Sequence, residues 1–157
     1  MIGLLDNEML VKFVDFVNSN TDEAWTIIIN SGGGNFLATE TITRIVNLHK
    51  ETEIIVQAAF SAGFLFLIET KCKKTLSRTC RGMWHYGRWS IEYNDKHKPY
   101  YYDDECIIRN LPFHKKHSQS LAKKIMNTTE YKDFLKDRDV YFDFKRMKEI
   151  FPNAEVI

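Results

Sequence analysis

The chain is short of the residues that punctuate and staple polypeptides. Only 3 prolines and 7 glycines occur among 157 residues, which excludes collagenous, low-complexity and linker-dominated architectures. Cysteine also numbers 3 (Cys72, Cys80 and Cys106), with no C-x-x-C spacing. That argues against a disulfide scaffold or a zinc knuckle and for a reducing compartment, the cytoplasm. Neither sign of charge is in surplus, since 22 Lys and Arg against 21 Asp and Glu leave a formal +1. The basic excess that binding a nucleic-acid backbone needs is missing, and so is the acidic excess of a disordered tail. Met1-Ile2-Gly3-Leu4-Leu5 has no basic region and meets Asp6 and Glu8 at once, unlike a secretory signal. The longest apolar run, Ile54 to Ile68, falls short of the ~20 residues of a membrane span and contains Gln57 and Ser61.

What is present is an ordinary globular composition, 44% hydrophobic and 27% charged, and rich in aromatics at 13%. The length suits one domain over 1–157 with one core. Asp6 reads as the N-cap of a helix carrying Met9, Leu10, Phe13, Val14 and Val17 at helical spacing. Trp25 to Asn30 is β-branched and apolar, as in a strand buried on both faces. Ser31-Gly32-Gly33-Gly34-Asn35 then predicts a tight turn, and Thr39 to Lys50 a helix. Glu53 to Ala59 is a second buried strand, turning through Ser61 into an apolar helix over Phe64 to Glu69. Lys71 to Lys74 reads as a basic surface segment, and Cys80 to His85 as a third extended stretch. This alternation of strand and helix implies an α/β fold of parallel βαβ units.

Residues 88–102 are polar and aromatic and predict a long loop or small hairpin. A long helix is expected from Asp103 to about Met126, kinked or restarted at Pro112. Thr128 or Thr129 is the expected cap of a helix over Tyr131 to Lys136. A last helix is expected over Phe144 to Phe151, with Glu155 to Ile157 as a short strand.

Three places carry candidate chemistry. Ser61, in Ala59-Phe60-Ser61-Ala62-Gly63, stands where a strand becomes a helix, a relaxed form of the G-x-S-x-G elbow. Such a turn holds a hydroxyl at a helix N-terminus, although small residues there more often serve packing. The Ser31–Gly34 segment could offer bare backbone N–H groups to an oxyanion or a phosphate, or simply form a turn; it lacks the spacing and lysine of a phosphate loop. His85 ends the third predicted strand, at the edge where open parallel sheets gather ligands. Asp137 and Asp139 read, alone, as a charged loop, and His97, His114 and His117 as surface residues. His114 and His117 are spaced as a metal pair, but no third ligand is near them in sequence, so no metal or other cofactor is expected.

Taken together, the segments resemble the proteolytic subunit of the Clp protease, within the crotonase-like superfamily. Ile29-Asn30-Ser31-Gly32-Gly33-Gly34 is similar to that family's I-N-S-P-G-G turn, with Gly32 in place of Pro. Gln57-Ala58-Ala59-Phe60-Ser61-Ala62-Gly63 is similar to its Q-A-A-S-M-G nucleophile segment, with Phe60 as an extra residue. Arg81-Gly82-Met83-Trp84-His85 resembles S-R-V-M-I-H, and Arg138-Asp139-Val140-Tyr141-Phe142 resembles E-R-D-R-F-L. Tyr86 and Arg88 replace the Q-P-L-G that follows the family's histidine.

The resemblance implies repeated βαβ units wound as a superhelix, with a protruding handle helix in the 88–130 region. It implies a serine endopeptidase with Ser61 as nucleophile, His85 as general base and Asp139 orienting the imidazole. The N–H groups of Gly34 and Ala62 would form the oxyanion hole. Peptides or unfolded proteins are the implied substrates, and a homo-oligomeric ring the implied assembly. An AAA+ unfoldase ATPase is also an implied partner. The axial gating segment of the family has no counterpart ahead of the first core strand, which is expected to weaken that pairing. A catalytically inactive Clp-like protein serving assembly or regulation is the rival expectation, motivated by Phe60 and the altered flank of His85. Acyl-CoA chemistry of the wider superfamily would need a carboxylate near the glycine turns and an adenine pocket, and the sequence shows neither.

Overall fold

The computed structural model of the chain describes residues 1–21, 23–49, 51–86 and 102–157, with backbone alone at residues 2 and 102–111. Of the loop expected over 88–102, residues 88–101, His97 among them, lie outside the described residues, and Tyr102 is helical. The chain forms two compact units, one of Met1–Trp84 with Tyr141–Ile157 and one of His85–Val140.

The first unit winds strand and helix alternately. Strand β1 (Ile2–Leu5) leads into helix α1 (Asn7–Ser19), and β2 (Trp25–Gly34) into α2 (Phe36–Leu48). Strand β3 (Thr52–Phe60) leads into α3 (Ala62–Glu69), and β4 (Lys73–Trp84) closes the series. The sheet order is β1-β2-β3-β4-β5, with β6 also paired to β4; β5 is Val140–Phe142 and β6 Glu155–Val156. The β1–β2, β2–β3, β3–β4 and β4–β6 pairings are all parallel, as the alternation predicts. The 54–68 apolar run is thus a strand, a turn and a helix, and among the described residues no helix is long and apolar enough to cross a membrane.

Helix starts follow local chemistry. Asp6 accepts from Met9 N at 2.9 Å, and Asn35 accepts from Ala38 N at 3.1 Å, each satisfying a donor that the first turn cannot. Helix α3 packs on β2, β3 and β4 and is flanked by α2. Phe64, Phe66 and Leu67 of α3 are fully buried, together with Ile29, Ile54, Val56 and Leu76 from the sheet. Phe64 stacks on Phe142 with centroids 4.8 Å apart and meets Trp84 at 5.9 Å. Helix α6 (Phe144–Ile150), capped by Asp143, packs on β4.

Several expectations are corrected. Ser31–Gly34 is not a turn but the end of β2, whose side chains alternate inward and outward along its whole length. Its outward face includes Thr26 and Ile28, the latter 40% exposed, so β2 is not buried on both faces. The strand expected over Cys80 to His85 is β4, which begins already at Lys73, inside the expected basic segment. Lys73 there bridges Glu53 at 3.5 Å and Glu155 at 3.0 Å, so a charged start is compatible with the ladder.

The second unit holds α4 (Tyr102–Ile125) and α5 (Thr128–Leu135). Helix α4 continues through Pro112 rather than restarting there. The cap of α5 is Asn127, not Thr128 or Thr129. Its side chain accepts from Thr129 N and Glu130 N, while Glu130 returns a bond to Asn127 N at 2.8 Å. Tyr86 is tied to both helices: its hydroxyl accepts from Gln119 Nε2 at 2.6 Å, and its ring meets Phe134 edge-on at 5.3 Å.

Candidate active site at the Ser61 turn

Ser61 links β3 to α3 in a conformation rare for a residue with a side chain, φ 51° and ψ −119°. Strain of this kind persists only where the surroundings hold it. Here the holding bonds are short. Ser61 N donates to Met83 O of β4 at 2.8 Å, and Ser61 O accepts from Phe64 N at 3.0 Å and Leu65 N at 3.1 Å. The Ser61 side chain does not cap the helix it starts. Ala62 is the first residue of α3, so its N–H is among those with no acceptor inside the helix.

The alternation of β2 brings its glycine end to this turn. Trp25, Ile27, Ile29, Ser31 and Gly33 share the buried face. Gly33, at φ 114°, lies so close to Ser61 that a Cβ on it would sit 2.7 Å from Ser61 Cβ and 3.2 Å from Ser61 Oγ. Gly34, at φ 147°, packs on the Leu5 backbone, where any Cβ would collide with the carbonyl. Neither position has space for a side chain, so the glycines serve close approach as well as backbone freedom. The sequence marks the Ser31–Gly34 segment as a whole as candidate chemistry, without distinguishing Ser31 and Gly33 within it. Only the inward register of β2, which the expected turn concealed, would have singled them out.

His85 is the residue that follows β4, and its Nδ1 is buried. Asp139 lies exposed in the segment between α5 and β5. Ser61 belongs to the first unit, and His85 and Asp139 to the second. His114, expected at the surface, is buried, because α4 turns it inward while Phe113 beside it stays 67% exposed. His117 stacks on Phe113, with centroids 6.3 Å apart. Among the described residues no group of three or more His, Cys, Asp or Glu could hold a metal ion.

Elsewhere in the first unit, a cleft of about 410 Å³ is lined by Lys71–Lys74 and Ile150–Ala154. Lys74 donates there to Thr70 O at 2.6 Å and Cys72 O at 3.2 Å, and burial pulls its ammonium below the usual lysine range. With Lys73 engaged by carboxylates, two of the three lysines serve internal partners.

No protein-family model matches the chain, and no curated protein matches it in sequence. Among solved structures, it is similar to a point mutant of ClpP1 from Listeria monocytogenes, with a TM-score of 0.68 and 19% sequence identity. The match covers 100% of this chain and 88% of that one. At this identity the likeness is one of fold: the chain has a ClpP-like α/β fold, and Ser61 stands at its β3–α3 turn.

Proposed function

We propose that the chain is a ClpP-like serine endopeptidase that cleaves peptide bonds through an acyl-enzyme on Ser61. The observation that carries this reading is the strained Ser61 turn, braced by Met83 O and pressed by side-chain-free Gly33 at the start of α3. A hydroxyl so held is oriented before substrate arrives. In the proposed reaction, Ser61 Oγ attacks the scissile carbonyl carbon while His85 takes its proton. The negative oxygen is received by the N–H groups of Gly34 and Ala62. Collapse breaks the C–N bond, and His85 returns the proton to the leaving amine. Water then repeats the sequence and frees Ser61. Asp139 holds the imidazole and stabilises its charged form. The likeness of Arg81-Gly82-Met83-Trp84-His85 to the family's S-R-V-M-I-H segment supports His85 as the base.

We place the protein in the reducing cytoplasm, a setting compatible with the free thiols of Cys72 and Cys80. Copies of the chain would assemble into a ring around peptide or unfolded-protein substrates, and an AAA+ unfoldase ATPase would be an accessory partner. A second reading, an inactive ClpP-like protein used for assembly or regulation, is favoured by the exposure of Asp139, since a triad carboxylate is ordinarily buried. A fluorophosphonate probe separates the two. In the peptidase, Ser61 Oγ bonds to phosphorus with loss of fluoride, Ser61→Ala abolishes labelling, and Asp139→Asn slows it by roughly 10²-fold or more. Peptide cleavage that continues unchanged in Ser61→Ala rejects the serine mechanism, and a wild type that neither labels nor cleaves supports the inactive reading.

A further inference from the structure

We propose that Ser31 is a positioning residue for the Ser61 site, holding the two segments that would supply the oxyanion donors. The inference rests on the peptidase reading above. Ser31 breaks the apolar series on the inner face of β2: it follows Trp25, Ile27 and Ile29 in that register and is only 2% exposed. A hydroxyl in that place costs stability unless it is bonded. Ser31 Oγ accepts from Gly33 N at 3.1 Å and lies 3.3 Å from Gly33 O, within donating distance. Both polar groups of Gly33 therefore meet one side chain.

Ser31 touches the other segment as well. Gly63, the second residue of α3, lies against it so tightly that a Cβ there would sit 3.2 Å from Ser31 Cβ and 3.3 Å from Ser31 Oγ. Ser31 is thus wedged between the end of β2 and the first turn of α3. Gly34, next after the clamped residue, and Ala62, next before Gly63, carry the proposed donors. With its N–H committed to Ser31, Gly33 serves as a wall for Ser61 rather than as a donor. Removing the hydroxyl frees the Gly33 peptide to rotate, which moves the wall behind Ser61 and the Gly34 N–H together.

The test combines labelling kinetics with backbone exchange in the full chain. Ser31→Ala is expected to lower the maximal rate of fluorophosphonate labelling about tenfold while leaving half-saturation by the probe unchanged. The Gly33 amide is expected to exchange at least about tenfold faster with solvent. Ser31→Thr, which keeps the hydroxyl, restores both. Unchanged Gly33 exchange in Ser31→Ala overturns the clamp, whatever the labelling does and whether or not Ser31→Thr folds. Faster exchange with an undiminished labelling rate overturns the positioning role and leaves the peptidase reading intact. A wild type that never labels at Ser61 rejects the peptidase reading, and the positioning role with it.

Discussion

Gly82 of β4 lies beneath the ring of Phe64, so closely that a Cβ on Gly82 would sit 2.7 Å from Phe64 Cε2 and 2.7 Å from Met147 Sδ. Phe64 is in the first turn of α3, and its N–H donates to Ser61 O at 3.0 Å. The core contact that seats α3 on the sheet is therefore one hydrogen bond away from the candidate nucleophile. Met147 can yield by changing rotamer. Phe64 cannot yield so easily, because its ring is held against Phe142, Trp84 and Phe151.

Gly82→Ala should accordingly destabilise the fold by about 1–3 kcal/mol through overpacking. Urea denaturation followed by far-UV circular dichroism measures this. The same variant should label more slowly at Ser61, because the displaced ring pulls on the turn. Wild-type stability in Gly82→Ala would show that α3 is not seated by this contact.

Gly33→Ala meets two obstacles at once. Alanine at φ 114° is strained, and its Cβ would press on Ser61 Cβ and lie 3.1 Å from Phe60 O. The expected outcome is a folded protein, weakened by about 1–3 kcal/mol, whose Ser61 labelling falls by roughly 10²-fold. Thermal unfolding and probe labelling on one sample separate the two effects. Labelling at the wild-type rate would mean that Ser61 does not depend on this wall.

Burial of Cys80 in β4 pushes its thiol from 9.0 up to about 11. The folded chain keeps this proton over a range in which the unfolded chain loses it. Stability present below pH 9 is therefore expected to fall as pH rises from 9 towards 11. Burial raises the Cys72 thiol too, so it acts in the same direction. Urea midpoints at pH 8 and pH 10 should differ more for the wild type than for Cys80→Ala. An equal pH response in both would remove Cys80 as the source. At pH 8 the native Cys80 should also resist a thiol reagent that modifies it readily in denaturant.

Much of the fold was legible because strand and helix leave local periods in the sequence. Asp6 as a cap, the β3–α3 pair around Ser61, and the closing helix with its short strand all follow from residues a few positions apart. What went unread depends on partners distant in the chain. Lys73 can start a strand because Glu53 and Glu155 stand beside it. Asn127 caps α5 through a reciprocal bond with Glu130, where the threonines looked equally suitable. His114 is buried by the placement of α4, which no local pattern records.

The candidate site divides in the same way. Local pattern is enough to put Ser61 at a strand-to-helix turn and a glycine run after an earlier strand. That Ser31–Gly34 continues β2 and that Gly33 presses on Ser61 follows from pairing between distant segments. The cause is register. Three glycines permit either a turn or an extended strand, and pairing of Gly33 and Gly34 with Leu4 and Leu5 of β1 selects the strand. With these residues in β2, its two-residue alternation turns Ser31 and Gly33 inward, Ser31 against Gly63 and Gly33 against Ser61, 28 positions further along the chain.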